Sequence, residues 1–230
     1  MSKIHNAFEA VLADFLRCDA ITKLAQGELT VDHYKSILRE IYYYSREDPQ
    51  IQAVATAYFR GADREFVKPF LRHAVAEVGH DEMALADLAV LGEDIADIPN
   101  HMPLPQTLAL TAFPYYQIQY LNPVGYLGYL YFLEFLPTSS GGMLSEGLMA
   151  AGVPQQALSF LAEHTMVDVS HNALMQKYLT HLVRNEGDES AVIYAMQSTA
   201  VYYAGMLNAA VEAVDRRPQL ADHTALARQG

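Results

Sequence analysis

Three residues that can bind a metal ion lie on one stripe of a predicted helix, and this feature constrains the fold more strongly than any other. His164, Asp168 and His171 stand within a segment of apolar periodicity. At about 100° per residue, their spacing places the three side chains within roughly 60° of one another. Burying ionisable groups without partners costs free energy. The stripe therefore predicts a helix that packs against further ligands, although a single buried histidine is commonly explained by one hydrogen bond.

The rest of the sequence is also helical in pattern, without convincing strand alternation. Apolar periodicity, caps and prolines predict helices over residues 4–25, 30–46, 51–60, 68–91, 108–120, 154–184 and 188–214. Residues 137–142 are the most flexible-looking segment, a candidate lid or linker. We predict one all-α domain of seven or eight helices over residues 1–218, followed by a loose tail at 219–230.

Composition argues against several classes of function. The chain of 230 residues is 51% hydrophobic, which suffices for a large core, and its formal net charge of -12 argues against binding nucleic acid. A single cysteine, Cys18, leaves no intrachain disulfide and no cysteine-based zinc site. The sequence shows no basic and apolar leader and no run of about 18 apolar residues. We therefore expect a soluble, cytoplasmic protein with no membrane or nucleic-acid partner.

Four predicted helical segments each supply an acid or an acid–histidine pair in apolar surroundings. The candidates are Glu40, the Glu77-x-x-His80 pair, Glu134, and the Asp168-x-x-His171 pair with His164 one turn before it. Carboxylate-bridged dinuclear sites in four-helix bundles take one glutamate from each of two helices and Glu-x-x-His from each of the other two. This chain matches that pattern with an aspartate in one position. Mixed oxygen and nitrogen donors favour iron or manganese.

Simpler explanations exist for some of these residues. Glu40 alone is consistent with an exposed helix acid paired with Arg39 or Lys35, and a Glu-x-x-His pair arises by chance on many helices. Glu134 is the strongest single indication, because an acid within Tyr-Phe-Leu-Glu-Phe-Leu does not fit a solvated helix face. Tyrosines are dense around the predicted site, and we interpret them as core residues: Tyr42, Tyr43, Tyr44, Tyr126, Tyr129 and Tyr131. Taken together, the four segments favour a metal site.

Residues 27–177 resemble the haem-oxygenase-like diiron oxidases and oxygenases, iron-containing redox enzymes of the superfamily that also holds thiaminase II and pyrroloquinoline-quinone synthase. The similarity begins at residues 27–34 and includes residues 122–126, and its most specific motif is His164-x-x-x-Asp168-x-x-His171. The resemblance implies that the metal-binding and catalytic residues are Glu40, Glu77, His80, Glu134, His164, Asp168 and His171. No member of the family's ligand set is missing.

The resemblance further implies a single-domain, haem-oxygenase-like bundle of about seven helices that works as a non-haem diiron oxidoreductase. It implies two irons per chain, one of them weakly held, with O2 as co-substrate and an electron donor that the sequence does not identify. A small molecule would be the substrate, and relatives of this fold are often homodimers. Thiaminase II uses a nucleophilic cysteine, but Cys18 lies in the first predicted helix, so that chemistry is not expected.

We expect the substrate to be an amino acid, because amino-acid enzymes are common in the resembling group and basic residues flank the ligand helices. The reaction would be desaturation, N-oxygenation or C–C cleavage. Candidates for binding a substrate carboxylate are Arg39, Arg46, Arg60, Arg72 and Lys177. One alternative is the oxidative cleavage of a medium-chain fatty acid. Others are a non-catalytic helical protein stapled by a closed metal site, and a metal-independent relative with a hydrogen-bonded polar pocket.

Overall fold

The structure is a computed structural model that describes residues 2–166 and 168–216, and the side chains of residues 2 and 166–172 lie outside that description. The predicted tail at 219–230 also lies outside the described residues. Every regular element that the structure describes is a helix, which confirms the all-α prediction. None of the described helices is both long enough and apolar enough to cross a lipid bilayer.

The described residues form eleven α-helices, numbered in chain order. They are α1 Ser2–Phe15, α2 Asp19–Ala25, α3 Val31–Ser45, α4 Asp48–Ala55, α5 Val67–Glu77, α6 His80–Val90, α7 Pro105–Tyr120, α8 Tyr126–Ala150, α9 Ser159–Met166, α10 Asp168–Leu182 and α11 Glu186–Asp215. Short 3-10 turns occupy Thr56–Tyr58, Gly61–Phe66, Ile98–Asn100, Pro123–Gly125 and Gln155–Ala157. The predicted start near Lys68 is close to that of α5, which places Pro69 in the first turn, where its missing N–H costs nothing.

The core forms where α8 and α11 pack together and the other helices pack around them. α11 also packs against α7, α3 and α1, while α8 contacts α9 and α10. Gly128 permits a close approach of α8 to α11, because a Cβ at that position would overlap the carbonyl oxygen of Val192. The six tyrosines predicted to lie in the core are all buried. Their rings pack against several elements, as Tyr44 does against Tyr203 of α11 and Tyr131 against Phe8 of α1.

The segment predicted to be a flexible lid is helical instead. Residues 137–142 continue α8, and the hydroxyl of buried Ser140 donates a 2.7 Å hydrogen bond to the carbonyl oxygen of Leu136. Gly141 lies against Thr165 of α9, and a Cβ at Gly141 would overlap the threonine hydroxyl. The lid prediction is therefore wrong, because the small residues serve close packing between two helices.

The predicted helix over residues 68–91 is broken at Val78–Gly79 into α5 and α6. Gly79 has a φ of 100°, in the left-handed region that favours glycine over residues with a side chain. Glu77 is consequently the last residue of α5, and His80 is the first residue of α6. The expectation that the Glu-x-x-His pair lies on one continuous helix is wrong, although both residues remain neighbours. The predicted helix over residues 4–25 is likewise divided, into α1 and α2.

Candidate metal centre

Three of the predicted ligands converge although they come from three different helices. His80 Nδ1 lies 2.7 Å from Glu77 Oε2, and the ring centroids of His80 and His164 are 4.6 Å apart. Each of the three residues offers one ligand atom, and these atoms all lie within 4.8 Å of one another. One carboxylate and two imidazoles form a donor set suited to iron, manganese or zinc. The site therefore fits a first-row divalent metal.

The imidazole of His164 is oriented for metal binding by its own helix. Its Nδ1 lies 2.7 Å from the carbonyl oxygen of Phe160. A carbonyl can only accept, so Nδ1 carries the proton and Nε2 keeps a lone pair for a metal. Burial lowers the pKa of His164, which favours the neutral form that binds metals.

The carboxylate of Glu77 also belongs to a second group of potential ligands. His73 Nε2 lies 3.3 Å from Glu77 Oε1 and 3.0 Å from Glu134 Oε1. The side-chain amide of Gln52 lies 2.6 Å from the other ring nitrogen of His73. Burial opposes a charge on His73, but hydrogen bonds to Glu134 and Glu77 raise its pKa to about 10. An imidazolium between two carboxylates partly balances their charge in this buried region.

The same contacts set the charge of Glu77 itself. Burial acts to raise the pKa of this carboxyl, but the hydrogen bonds from His73 and His80 outweigh it and hold the pKa below its usual range. The hydrogen bond to Glu77 in turn raises the pKa of His80. Glu77 is therefore an anion flanked by two imidazoles, and it is the residue that the two groups share.

Glu40 is the predicted ligand that the structure places elsewhere. Its Oε2 accepts a 3.0 Å hydrogen bond from the backbone N–H of Leu104 and another from the hydroxyl of Thr107, at the start of α7. The cavity face of α3 carries Ile37, Ile41 and Tyr44. Around the helix Glu40 lies about 60° from Ile37 and about 40° from Tyr44, at the border of that face, and its carboxylate is bound to α7 instead. The position of Glu40 gives no geometric support to its assignment as a metal ligand.

Asp168 and His171 are the other two predicted ligands, and their side chains lie outside the described residues. The structure thus brings together Glu77, His80 and His164, with Glu134 joined to them through Glu77. For Asp168 and His171, metal binding stays a prediction.

Asp48 lines the same cavity as the clustered ligands, and the sequence analysis missed it. Its Oδ1 accepts a 2.6 Å hydrogen bond from the hydroxyl of Tyr129. Burial raises the pKa of Asp48, and the charges of Glu77 and Glu134 raise it further. The hydrogen bond from Tyr129 acts to lower it, but the pKa still reaches about 8. The spacing Ile37, Ile41, Tyr44 and Asp48 follows the helical period of an inner face. That spacing indicates an inward-facing Asp48, although Pro49 directly after it marks the end of the predicted helix.

The cavity beside these residues has a volume of about 140 Å³. Its apolar wall is formed by side chains from several helices and the α2–α3 loop, among them Phe15, Ile21, Leu24, Leu29, Leu130, Leu133, Leu144, Leu148, Leu161 and Leu207. Neither lysine nor arginine occurs among the described residues that line it. The basic residues that the sequence offered for a substrate carboxylate therefore do not face this cavity: Arg39, Arg46, Arg60, Arg72 and Lys177.

Asp87 connects the two helices that carry the clustered histidines. It is buried on α6, and its carboxylate accepts from the backbone N–H and the hydroxyl of Ser159, at 3.1 and 2.6 Å, and from the backbone N–H of Phe160 at 3.0 Å. These donors lie at the first turn of α9, where backbone N–H groups have no partner within the helix. Asp87 therefore caps α9 and ties it to α6, so that His164 is held beside His80.

Solved structures with the same arrangement of helices identify the fold. A domain of unknown function with a haem oxygenase-like fold from Shewanella denitrificans matches with a TM-score of 0.80 and 25% identity, over 93% of this chain and 91% of that chain. A TenA homologue from Pseudomonas syringae pv. tomato gives a TM-score of 0.76 at 12% identity, over 92% of each chain. A TenA homologue from P. horikoshii gives 0.72 at 11% identity, over 92% of this chain and 97% of that chain. The predicted haem-oxygenase-like fold is confirmed.

The family is identified by the sequence itself. Residues 35–203 match the family of iron-containing redox enzymes, and the chain belongs to that family. No curated protein matches the chain significantly. The resemblance inferred from the ligand motifs is thus confirmed at the level of the family, and iron is the metal that the family description names.

Proposed function

We propose that the protein is an O2-dependent, non-haem iron oxidoreductase that oxidises a small molecule held in the cavity beside Glu77, His80 and His164. The observation that carries this proposal is the convergence of one carboxylate and two imidazoles at the wall of an otherwise largely apolar cavity. Membership of the iron-containing redox enzymes supports iron as the metal. Bound iron would supply the electrons and open coordination positions that O2 activation requires.

We further propose two irons per chain, one of them weakly held. The two oxygens of Glu77 face different partners, since Oε2 lies near His80 and Oε1 lies near His73. A carboxylate with one oxygen directed to each side is suited to bridge two cations. In this proposal Glu77, His80 and His164 hold the first iron, and Glu134 stands beside the second. Asp168 and His171 would complete the second position.

The protein's own residues position the substrate and keep the site dry. The apolar wall excludes water from the neighbourhood of the ligands, which strengthens electrostatic interactions there and protects reactive species from side reactions. The backbone carbonyl of Phe160 accepts a hydrogen bond from His164 Nδ1 and fixes its ring, and Glu77 fixes the ring of His80. A small apolar molecule would lie against the leucine-rich wall with its reacting carbon near the ligands.

The substrate that we propose is an amino acid, to be desaturated, N-oxygenated or cleaved, with a medium-chain fatty acid as the alternative. Both have an apolar portion that suits the wall of the cavity. With no lysine or arginine among the described lining residues, a substrate carboxylate would depend on the metal for charge balance. Electrons for the complete reaction would come from a donor that is not part of the chain.

Iron titration followed by rapid mixing with O2 tests the proposed function. Wild-type protein, loaded anaerobically with ferrous iron, is expected to consume O2 with a transient visible absorption band whose amplitude follows the iron content. Replacing His164 by alanine should weaken iron binding by about tenfold or more, because it removes one ligand. The exposed His5 provides a matched control, since His5→Ala removes an imidazole from the surface.

Two results would contradict the proposal. Iron-loaded protein that neither consumes O2 nor shows a transient band would be a non-catalytic helical protein whose closed metal site only holds its helices together. Equal iron affinities for wild type and His164→Ala would remove the assigned site. Amino acids and fatty acids would then be added separately before O2, and the decay of the band would be compared between them. A change in the decay with one class alone would identify that class as the substrate.

A further inference from the structure

The described side chains that line the cavity have an excess of acidic groups. Asp48, Glu77 and Glu134 face it, against only two histidines, His80 and His164. Bound metal would neutralise Glu77 and Glu134, which leaves Asp48 as the lining acid without a counter-charge. In a region of low dielectric, such a group favours a cation much more strongly than it would in water. The cavity is otherwise apolar, so a small organic molecule is the natural source of that cation.

Asp48 is the acid in this set that lies outside both ligand groups. Neither cluster of potential metal ligands includes it. Its carboxyl accepts a hydrogen bond from Tyr129, which is neutral. No lysine or arginine among the described residues forms an ion pair with it, and the charge of His73 affects its pKa less than burial and the two glutamates do. The carboxylate therefore lines the cavity with one oxygen held by Tyr129 and without a bound cationic partner. Buried carboxylates without such partners are costly, which marks this position as one built for a ligand or a proton.

We propose that Asp48, oriented by Tyr129, is a binding subsite for the ammonium group of an amine substrate with an apolar body. This inference rests on the proposed function and narrows its substrate class to primary amines, including amino acids with an apolar side chain. The ammonium group donates to the Asp48 carboxylate, and the hydroxyl of Tyr129 keeps the carboxylate in place. The apolar portion extends along the wall formed in part by Phe15, Leu24 and Leu148.

The electrostatics of the cavity discriminate against a fatty acid of the same length. With metal bound at Glu77 and Glu134, Asp48 is the acid that remains to act on the substrate. A fatty acid finds no lysine or arginine among the described lining residues, so its single favourable polar contact would be with the metal. An amino acid brings the same carboxylate together with an ammonium group that Asp48 attracts. A bound ammonium group also supplies the cationic partner that the buried Asp48 carboxylate lacks. Specificity then arises from the attraction between Asp48 and the ammonium group, which a fatty acid does not have.

Three chain-matched compounds test the subsite: hexanoate, hexylamine and 2-aminohexanoate. Binding is measured by calorimetry and thermal shift on protein loaded with zinc, which is redox-inert, so that no turnover occurs. In wild type, both amines are expected to bind about tenfold or more tightly than hexanoate, the size of one charge-assisted hydrogen bond. In Asp48→Asn this preference should disappear while zinc affinity stays unchanged. Asp32→Asn, which removes an exposed carboxylate, should behave like wild type.

A second variant, Tyr129→Phe, keeps the test informative if Asp48→Asn folds poorly. It leaves the carboxylate but removes the hydroxyl that orients it, and it should reduce the preference for amines. Three results overturn the subsite: hexanoate binding as tightly as the amines in wild type, an unchanged preference in Asp48→Asn, or the absence of amine binding. A loss of zinc affinity in Asp48→Asn would make Asp48 a metal ligand instead. Failure of the proposed oxidation would be visible separately, as iron-loaded protein that binds amines but does not react with O2.

Discussion

The carboxylate of Asp87 provides a direct test of how the fold holds the candidate metal ligands together. Replacing Asp87 by alanine removes the acceptor of three hydrogen bonds from Ser159 and Phe160, and Asp87 is only 1% exposed. Loss of a helix cap costs about 1–2 kcal/mol, and buried N–H groups left without a partner add about 1–3 kcal/mol. We expect the free energy of unfolding to fall by about 3 kcal/mol in total, since these costs overlap.

The effect should extend to the metal because of where the capped residues lie. Asp87 is two turns beyond His80 on α6, and Ser159 is about one turn before His164 on α9. Without the cap, α9 is free to shift relative to α6, and the two imidazoles lose their common position. Metal affinity should fall by about 10- to 100-fold, as is typical when a group that supports a ligand is removed.

Urea unfolding of metal-free protein and titration with ferrous iron measure the two effects. Glu40→Ala is the matched control, because Glu40 is also a buried acid that accepts two hydrogen bonds at the start of a helix, in this case α7. It should destabilise the fold comparably and leave iron affinity unchanged. Wild-type affinity in Asp87→Ala would refute the positioning role. A loss of affinity in Glu40→Ala would restore Glu40 to the ligand set.

Three further predictions follow from individual contacts. The pKa of Asp48 is about 8 in the folded protein, well above the range of an aspartate in an unfolded chain, so folding should become less favourable as pH rises from about 4 to about 8. Asp48→Asn should therefore gain stability over wild type in urea unfolding at pH 8.5 relative to pH 5.5, and a constant difference would contradict this. Gly141→Ala should cost about 1–3 kcal/mol through overlap with Thr165, and adding Thr165→Ala should recover part of the loss in thermal melts. His73→Phe removes the imidazole between Glu77 and Glu134. It should destabilise metal-free protein more than iron-loaded protein, because iron replaces the positive charge of His73. An equal loss of stability in both forms would exclude a charge-balancing role for His73.

The clustering of candidate ligands could be predicted from sequence where the argument depended on residue type and apolar surroundings. Glu134 within a run of large apolar residues had to be buried, and the structure places it near Glu77 and His73. The prediction for Glu40 relied on the same kind of reasoning but could not fix the helix face. That face depends on which neighbour packs against each side of α3, and α7 lies on the side of Glu40.

Tertiary contacts explain the features that the sequence could not specify. Residues 137–142 have the composition of a linker, yet Gly141 is small because Thr165 lies against it. Asp48 stands immediately before Pro49, where the helical pattern breaks, and only the packing of α8 brings Tyr129 to its carboxylate. In both cases the determining partner lies far away in sequence, where neither periodicity nor local propensity contains information about it.

The glycine between Glu77 and His80 has a mechanical consequence. On a continuous helix, helical pitch would dictate the distance between these two residues. Here α5 packs on α4, whereas α6 packs mainly on α3 and also on α9. The two ligands therefore belong to separate groups of helices, and the angle between those groups sets their spacing. A substitution that tilts α4 or α3, even at a residue remote from the cavity, should be read out as a change in metal affinity.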